Sequence, residues 1–182
     1  NHQLINLAGV EARVAVGSGL AIAGYTLMVK ADQAASLWQV LSEAGAMPLG
    51  HQGWERLRIE QGRPMPGQEL TEDYNPLEAG LWQMISFDKG CYIGQETIAR
   101  LNTYKGVKQC LRGIRLNTAA EPNSVVMLGA EKVGKLTSIT KTEAGYFGLA
   151  YIRAKAGGVG LEIQVGEARG QIVEVPFLTH EY

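Results

Sequence analysis

The sequence predicts an α+β chain: a mixed region, residues 1–104, followed by a small antiparallel β-barrel, residues 105–182. Three observations predict this class. Before residue 105, β-prone runs sit beside stretches of helical apolar spacing. After it, short β-prone runs alternate with turn residues at close intervals, the texture of small sandwiches and barrels. The composition, 46% hydrophobic and 19% charged over 182 residues, fills a core and excludes wholesale disorder.

Each element has a local reason. Arg13-Val14-Ala15-Val16 and Tyr25-Thr26-Leu27-Met28-Val29 read as a hairpin across a glycine-rich connection. A helix follows, with Asp32 as its N-cap, Ala34, Leu37, Leu41 and Ala44 at helical spacing, and Gly45 as its stop. A second helix over 53–61 carries Trp54, Leu57 and Gln61 on one side and ends at Gly62 and Pro64. Residues 62–90 break regular structure with Pro64, Pro66, Gly67 and Pro76. Leu70, Tyr74, Leu77, Leu81, Trp82 and Ile85 nevertheless make the stretch too apolar for disorder, so it reads as an ordered, packed loop. Residues 95–101 read as a helix with Ile98 and Leu101 on its apolar side. The barrel strands are expected at 108–116, 124–128, 132–140, 146–152, 161–166 and 171–175. In the fifth, Leu161, Ile163 and Val165 alternate with Glu162 and Gln164, one buried face and one wet face.

Composition also excludes function classes. Lys+Arg of 17 against Asp+Glu of 18 gives a net charge of −1, without the basic excess of a nucleic-acid binder. No apolar run approaches the ~20 residues a membrane helix needs. Two cysteines, Cys91 and Cys110, make no disulfide framework, and three scattered histidines offer no metal site. With no signal peptide, a reducing compartment is expected: the cytoplasm, or an organelle matrix or stroma. The chain begins at Asn1 rather than Met and reads as a piece of a longer protein.

The densest chemistry lies in Asp88-Lys89-Gly90-Cys91-Tyr92-Ile93-Gly94-Gln95-Glu96. A thiol ahead of a helix N-terminus, with Lys89 two residues back, favours thiolate and nucleophilicity. Burial as a small hydrophobe is the other reading of Cys91. Glu60, at the C-terminal end of its helix, sits against the helix dipole. It reads either as a bidentate acceptor for two adjacent N–H donors of a flat heterocycle, or as a solvated partner of Arg56 or Arg63. Cys110, Trp38, Trp54 and Trp82 read as packing residues.

Lys89-Gly90-Cys91-Tyr92-Ile93-Gly94-Gln95-Glu96 resembles the K-G-C-Y-x-G-Q-E motif of the YgfZ family, folate-binding relatives of the glycine-cleavage T-protein. Arg58-Ile59-Glu60-Gln61-Gly62 resembles the R-L-E-A-G segment of T-proteins, and Pro76-Leu77-Glu78-Ala79-Gly80-Leu81 their P-x-E-A-G-L. Val133-Gly134-Lys135-Leu136-Thr137-Ser138 resembles the V-G-x-x-T-S of their C-terminal barrel. The resemblance covers nearly the whole chain but only the C-terminal part of the family's length.

It implies an α+β folate-binding fold capped by a β-barrel, with tetrahydrofolate or a related folate held by Glu60. It also implies a role in iron–sulfur cluster assembly or repair, with Cys91 and Lys89 as key residues and Gln95, Glu96 and Arg100 supporting the site. Partners would be folate and iron–sulfur assembly proteins or client enzymes. The N-terminal part of the family, with the catalytic Asp of T-proteins, has no counterpart here. The Glu60 and P-x-E-A-G-L segments keep a second reading open, an aminomethyltransferase moving a one-carbon unit to tetrahydrofolate. A third is an interaction module of the same fold.

Overall fold

The computed structural model of the chain describes residues 2–180. It divides into two compact units, Asn1–Trp54 and Glu55–Tyr182.

The first unit holds a three-stranded antiparallel sheet, β1 (His2–Leu7), β2 (Val10–Val16) and β3 (Tyr25–Met28), in that order. The expected hairpin is β2–β3, registered Arg13↔Met28 to Val16↔Tyr25. Helix α1 (Ala34–Glu43) follows a 3-10 turn at Ala31–Gln33. Asp32 lies inside that turn rather than at the cap, and Gln33 caps α1 without a side-chain hydrogen bond. The stop is as read: Gly45 N–H donates to Ser42 O and Ala46 N–H to Leu41 O, the paired bonds of a Schellman ending. Leu37 is buried on this helix, but Trp38, expected to pack, is 62% exposed. It borders a cavity of about 220 Å³ shared with Leu41, Met47 and Leu49.

In the second unit six strands close an antiparallel barrel: β4 (Gln109–Leu116), β5 (Val125–Leu128), β6 (Glu131–Thr142), β7 (Gly145–Arg153), β8 (Glu162–Val165) and β9 (Ala168–Val173). Their order is β4-β7-β6-β5-β8-β9, with β9 pairing back on β4 at Gly113↔Val173. Closure leaves no sheet edge. The inward set, Ile114, Leu116, Val126, Val133, Leu136, Ala150, Ile163, Val165 and Ile172 among others, forms one core. The alternation read in the fifth strand holds, with Ile163 and Val165 buried and Glu162 and Gln164 exposed.

A second cluster lies outside the barrel, where Ile59, Ala79, Val175 and Leu178 pack on Leu111, Leu149 and Tyr151. A third joins Leu77, Trp82 and Ile98. Residues 62–90 are therefore the ordered, packed connection that their apolar content predicts. Their turns are locked by side chains. Asn75 Oδ1 accepts the N–H groups of Leu77 and Glu78, while the Glu78 carboxylate accepts Asn75 N–H at 3.2 Å, a capping box around the Pro76–Glu78 turn.

Candidate functional site

Helix α2 (His51–Gln61) carries Glu60 in its last turn. The helix ends where Gly62, at φ +84°, takes a left-handed conformation and donates to Ile59 O, while Arg63 N–H donates to Arg58 O at 2.7 Å. A Cβ at Gly62 would lie 2.3 Å from Val175 Cγ2, so the close seat of residue 175 also requires glycine. Phe177 N–H donates to Gln61 O, adding a main-chain tie from the segment after β9.

The inward face of α2 differs from the expected one. Trp54, Leu57 and Gln61 are only half-buried, whereas Ile59 and Arg58 are buried, Arg58 to 1% exposure. A guanidinium so far from water requires charge partners. It has two carboxylates. Arg58 Nη1 donates to Glu69 Oε2 at 3.2 Å, and Glu69 is fully buried; Arg58 Nη2 donates to Glu55 Oε2 at 2.8 Å and Nε to the same carboxylate at 3.0 Å. Gln68 Oε1 also accepts from Nη2, and Ser138 Oγ on β6 accepts from it at 3.0 Å while bonding to the Glu69 carboxylate. Met65 N–H donates to Glu69 Oε2, and Tyr151 O–H to Glu69 O at 2.9 Å. Tyr74 stacks on Tyr151 with centroids 3.5 Å apart, and burial holds the Tyr151 hydroxyl far above the usual tyrosine range. Sequence reading missed this cluster because an arginine in a polar helix reads as surface. The available signal was Glu69, an acidic residue just after the Pro66-Gly67 turn, which a buried cation could use.

Glu60 points away from that cluster. Its carboxylate accepts from Arg56 Nε at 3.1 Å, and its side chain is 28% exposed. Of the two partners expected for a solvated Glu60, Arg56 is the one it meets. Arg56 gives it one N–H donor, and both side chains are part-exposed.

The motif 89–96 leads into helix α3 (Gln95–Thr103), which buries Ile98 as expected. Gly94 is its N-cap at φ +90°, a left-handed residue that suits glycine. Cys91 lies three residues before that cap and is exposed. Gln95 Oε1 accepts Tyr92 N–H at 3.1 Å, and Lys89 Nζ sits 4.8 Å from the centroid of the Tyr92 ring. Lys89 and Gln95 thus both meet Tyr92, the residue after the exposed thiol. Glu96 stands in the first turn of α3 and Arg100 in its last. No hydrogen bond or ion pair links Glu60 with this group among the described residues. Cys110 is the buried cysteine, and burial pushes its thiol pKa up. An open cleft of about 600 Å³ is lined by Glu78, Lys108, Gln109, Arg153 and Lys155, and none of the expected site residues lines it. No helix among the described residues is long and apolar enough to cross a membrane.

Comparison with known proteins bears on this geometry. The family model described as the GCVT N-terminal domain matches residues 1–89. A putative chloroplastic transferase of Arabidopsis thaliana is 47% identical over 184 residues, covering 100% of this chain and 43% of the relative. The aminomethyltransferase of Symbiobacterium thermophilum is 35% identical over 167 residues, covering 85% of this chain and 44% of the relative. The crystal structure of glycine cleavage system aminomethyltransferase T from Bartonella henselae superposes with a TM-score of 0.77 at 19% identity, covering 94% of this chain and 51% of that one. The chain therefore spans about half the length of the relatives it matches. Its fold is T-protein-like with a closed six-stranded barrel, and these matches support a glycine-cleavage T-protein-like family for it.

Proposed function

We propose that this chain is the folate-binding part of a tetrahydrofolate-dependent one-carbon transferase of the aminomethyltransferase type. The observation that carries the reading is the Glu60 carboxylate, part-exposed at a clamped helix end and held by one displaceable guanidinium. A folate's pterin ring presents an amine and a ring N–H side by side, and a carboxylate accepts both. A part-exposed acceptor with two oxygens matches that pair of donors. The relatives' names favour transfer chemistry over the iron–sulfur role that the K-G-C-Y-x-G-Q-E motif suggests. In this reading Glu60 binds and orients the pterin, and folate brings the one-carbon chemistry. Gln95 and Lys89 hold the 89–96 loop through Tyr92, and Glu96 and Arg100 stand on the helix that follows. The working compartment is the cytoplasm, or an organelle matrix or stroma.

A second reading rests on Cys91, an exposed thiol in the loop 89–96. In a YgfZ-type role that sulfur meets iron–sulfur assembly proteins or client enzymes. With Cys110 buried in β4, this chain offers one accessible cysteine sulfur, so a cluster would draw its other ligands from a partner. An aminomethyl-transfer assay with tetrahydrofolate separates the readings. Transfer that survives Cys91→Ser and is lost in Glu60→Gln supports the transferase. Folate binding without transfer, with cluster repair lost in Cys91→Ser, supports the second reading.

A further inference from the structure

The strand β6 is registered Leu136↔Ala150 and then Ser138↔Leu149, so Thr137 is an extra residue in the ladder. Without it, Leu136 and Ser138 would share one face of the strand. With it they part. Leu136 and Ala150 lie in the barrel core, whereas Leu149 belongs to the cluster outside the barrel that contains Ile59 of α2. Thr137 Oγ1 donates to Leu149 O at 2.9 Å and fastens the bulge. A bulge re-aims a side chain. Here it turns the Ser138 hydroxyl outward, to Arg58 and the Glu69 carboxylate.

Residues two apart on a helix point about 200° away from each other. Arg58 is buried on the inward side of α2, and Glu60 two residues on is part-exposed. The inner face is thus pinned to the barrel by Ser138 and to residues 63–69 by Glu69 and the Arg63 carbonyl, which accepts from Arg58 Nη1 at 3.4 Å. Ile59 beside it is in the apolar cluster, and the turn after it is closed by Gly62 against Val175. The last turn of α2 has one orientation, and so does the outward direction of Glu60.

We propose that Arg58 is a positioning residue for Glu60, and that the Thr137 bulge in β6 exists in this chain to deliver Ser138 to it. The inference rests on the folate reading of Glu60 and deepens it: the barrel sets the angle at which the pterin is met. Ser138→Ala removes the barrel tie and little volume. Arg58→Lys keeps a charge but loses the planar fork that reaches Glu55, Glu69 and Ser138 together.

The test titrates wild type, Ser138→Ala, Arg58→Lys and Glu60→Gln with tetrahydrofolate under argon. It reads the dissociation constant, the induced circular dichroism of the bound pterin and the melting temperature. Positioning predicts that Ser138→Ala weakens binding roughly three- to tenfold, about one hydrogen bond's worth, and alters the pterin's induced spectrum. Arg58→Lys should do the same or more; if it fails to fold, Ser138→Ala decides alone. Lower melting temperatures with an unchanged bound spectrum would mean a structural role only and overturn the inference. Wild-type binding in Ser138→Ala, with loss in Glu60→Gln, overturns it too and leaves the folate reading standing. Wild-type binding in Glu60→Gln, or no binding by wild type, removes the folate reading and the inference with it.

Discussion

The end of α2 and the loop 89–96 carry the expected site residues of the second unit, and they are held in opposite ways. The turn around Glu60 is fixed from beneath by the buried Arg58–Glu69 ion pair, by Ile59 in an apolar core and by a main-chain bond from Phe177. The loop around Cys91 is held by a ring contact from Lys89 and one side-chain bond from Gln95, and its thiol is exposed. A clamped carboxylate suits recognition of a rigid, flat ligand, because little orientation remains to be lost on binding. An exposed thiol on a lightly held loop suits contact with something that arrives from outside.

That contrast can be broken by mutation, and the largest effect should come from the clamp. Glu69→Ala strips a buried partner from Arg58 and should cost about 3–5 kcal/mol in urea unfolding, the scale for breaking a buried ion pair by one partner. A cost under about 1 kcal/mol would mean that Glu55 alone satisfies the guanidinium. Gly62→Ala comes next. It forces a side chain into a left-handed residue and against Val175, and should cost roughly 2–3 kcal/mol by the same measurement.

The segment after β9 adds a pH arm to the comparison. His180 contacts the Leu111 carbonyl at 3.0 Å, and burial first, with Arg112 second, lowers its pKa from 6.5 to about 4. The unfolded chain therefore takes up this proton near pH 6.5 while the folded chain resists it until about pH 4. The sign follows: stability contributed by neutral His180 is complete above pH 6.5 and is lost as pH falls toward 4. His180→Asn should flatten the melting-temperature profile across that window, and an unchanged slope would assign it to other groups.

The smallest effect belongs to the loop. Cys91→Ser should change stability by less than about 0.5 kcal/mol, as exposed substitutions do. Iodoacetamide should label Cys91 in the native protein, and Cys110 only on unfolding. Equal native labelling of the two would contradict the placement of Cys110 in the core.

What the sequence shows and what it hides divide along the same line. The barrel is legible because its reasons are local: Ile163 and Val165 alternate with Glu162 and Gln164, and turn residues separate the strands. The stop of α2 is legible for the same reason, in Gly62 and Pro64. Arg58 is not, because its burial depends on Ser138, 80 residues away, and on Glu69 in a loop without periodicity. The bulge is hidden too, since Leu136-Thr137-Ser138 reads as ordinary alternation until the register is known. Trp38 fails in the other direction. It neighbours Leu37 on α1, but the helix turns it about 100° off the buried position, beside a cavity rather than into a core. At the candidate site, the sequence singled out Glu60 with Arg56 or Arg63 as its partner, and the structure pairs it with Arg56; the anchoring beneath them became visible only in three dimensions.

In the proposed function, ligand recognition resides in the clamped carboxylate and not in the exposed thiol. Calorimetric titration of wild type, Glu60→Gln and Cys91→Ser with tetrahydrofolate tests it most directly. Affinity lowered by about tenfold or more in Glu60→Gln, as expected when an acceptor facing paired donors is replaced, with Cys91→Ser unchanged, is the predicted result. Equal affinity in wild type and Glu60→Gln, with loss in Cys91→Ser, would contradict it and move the ligand to the loop.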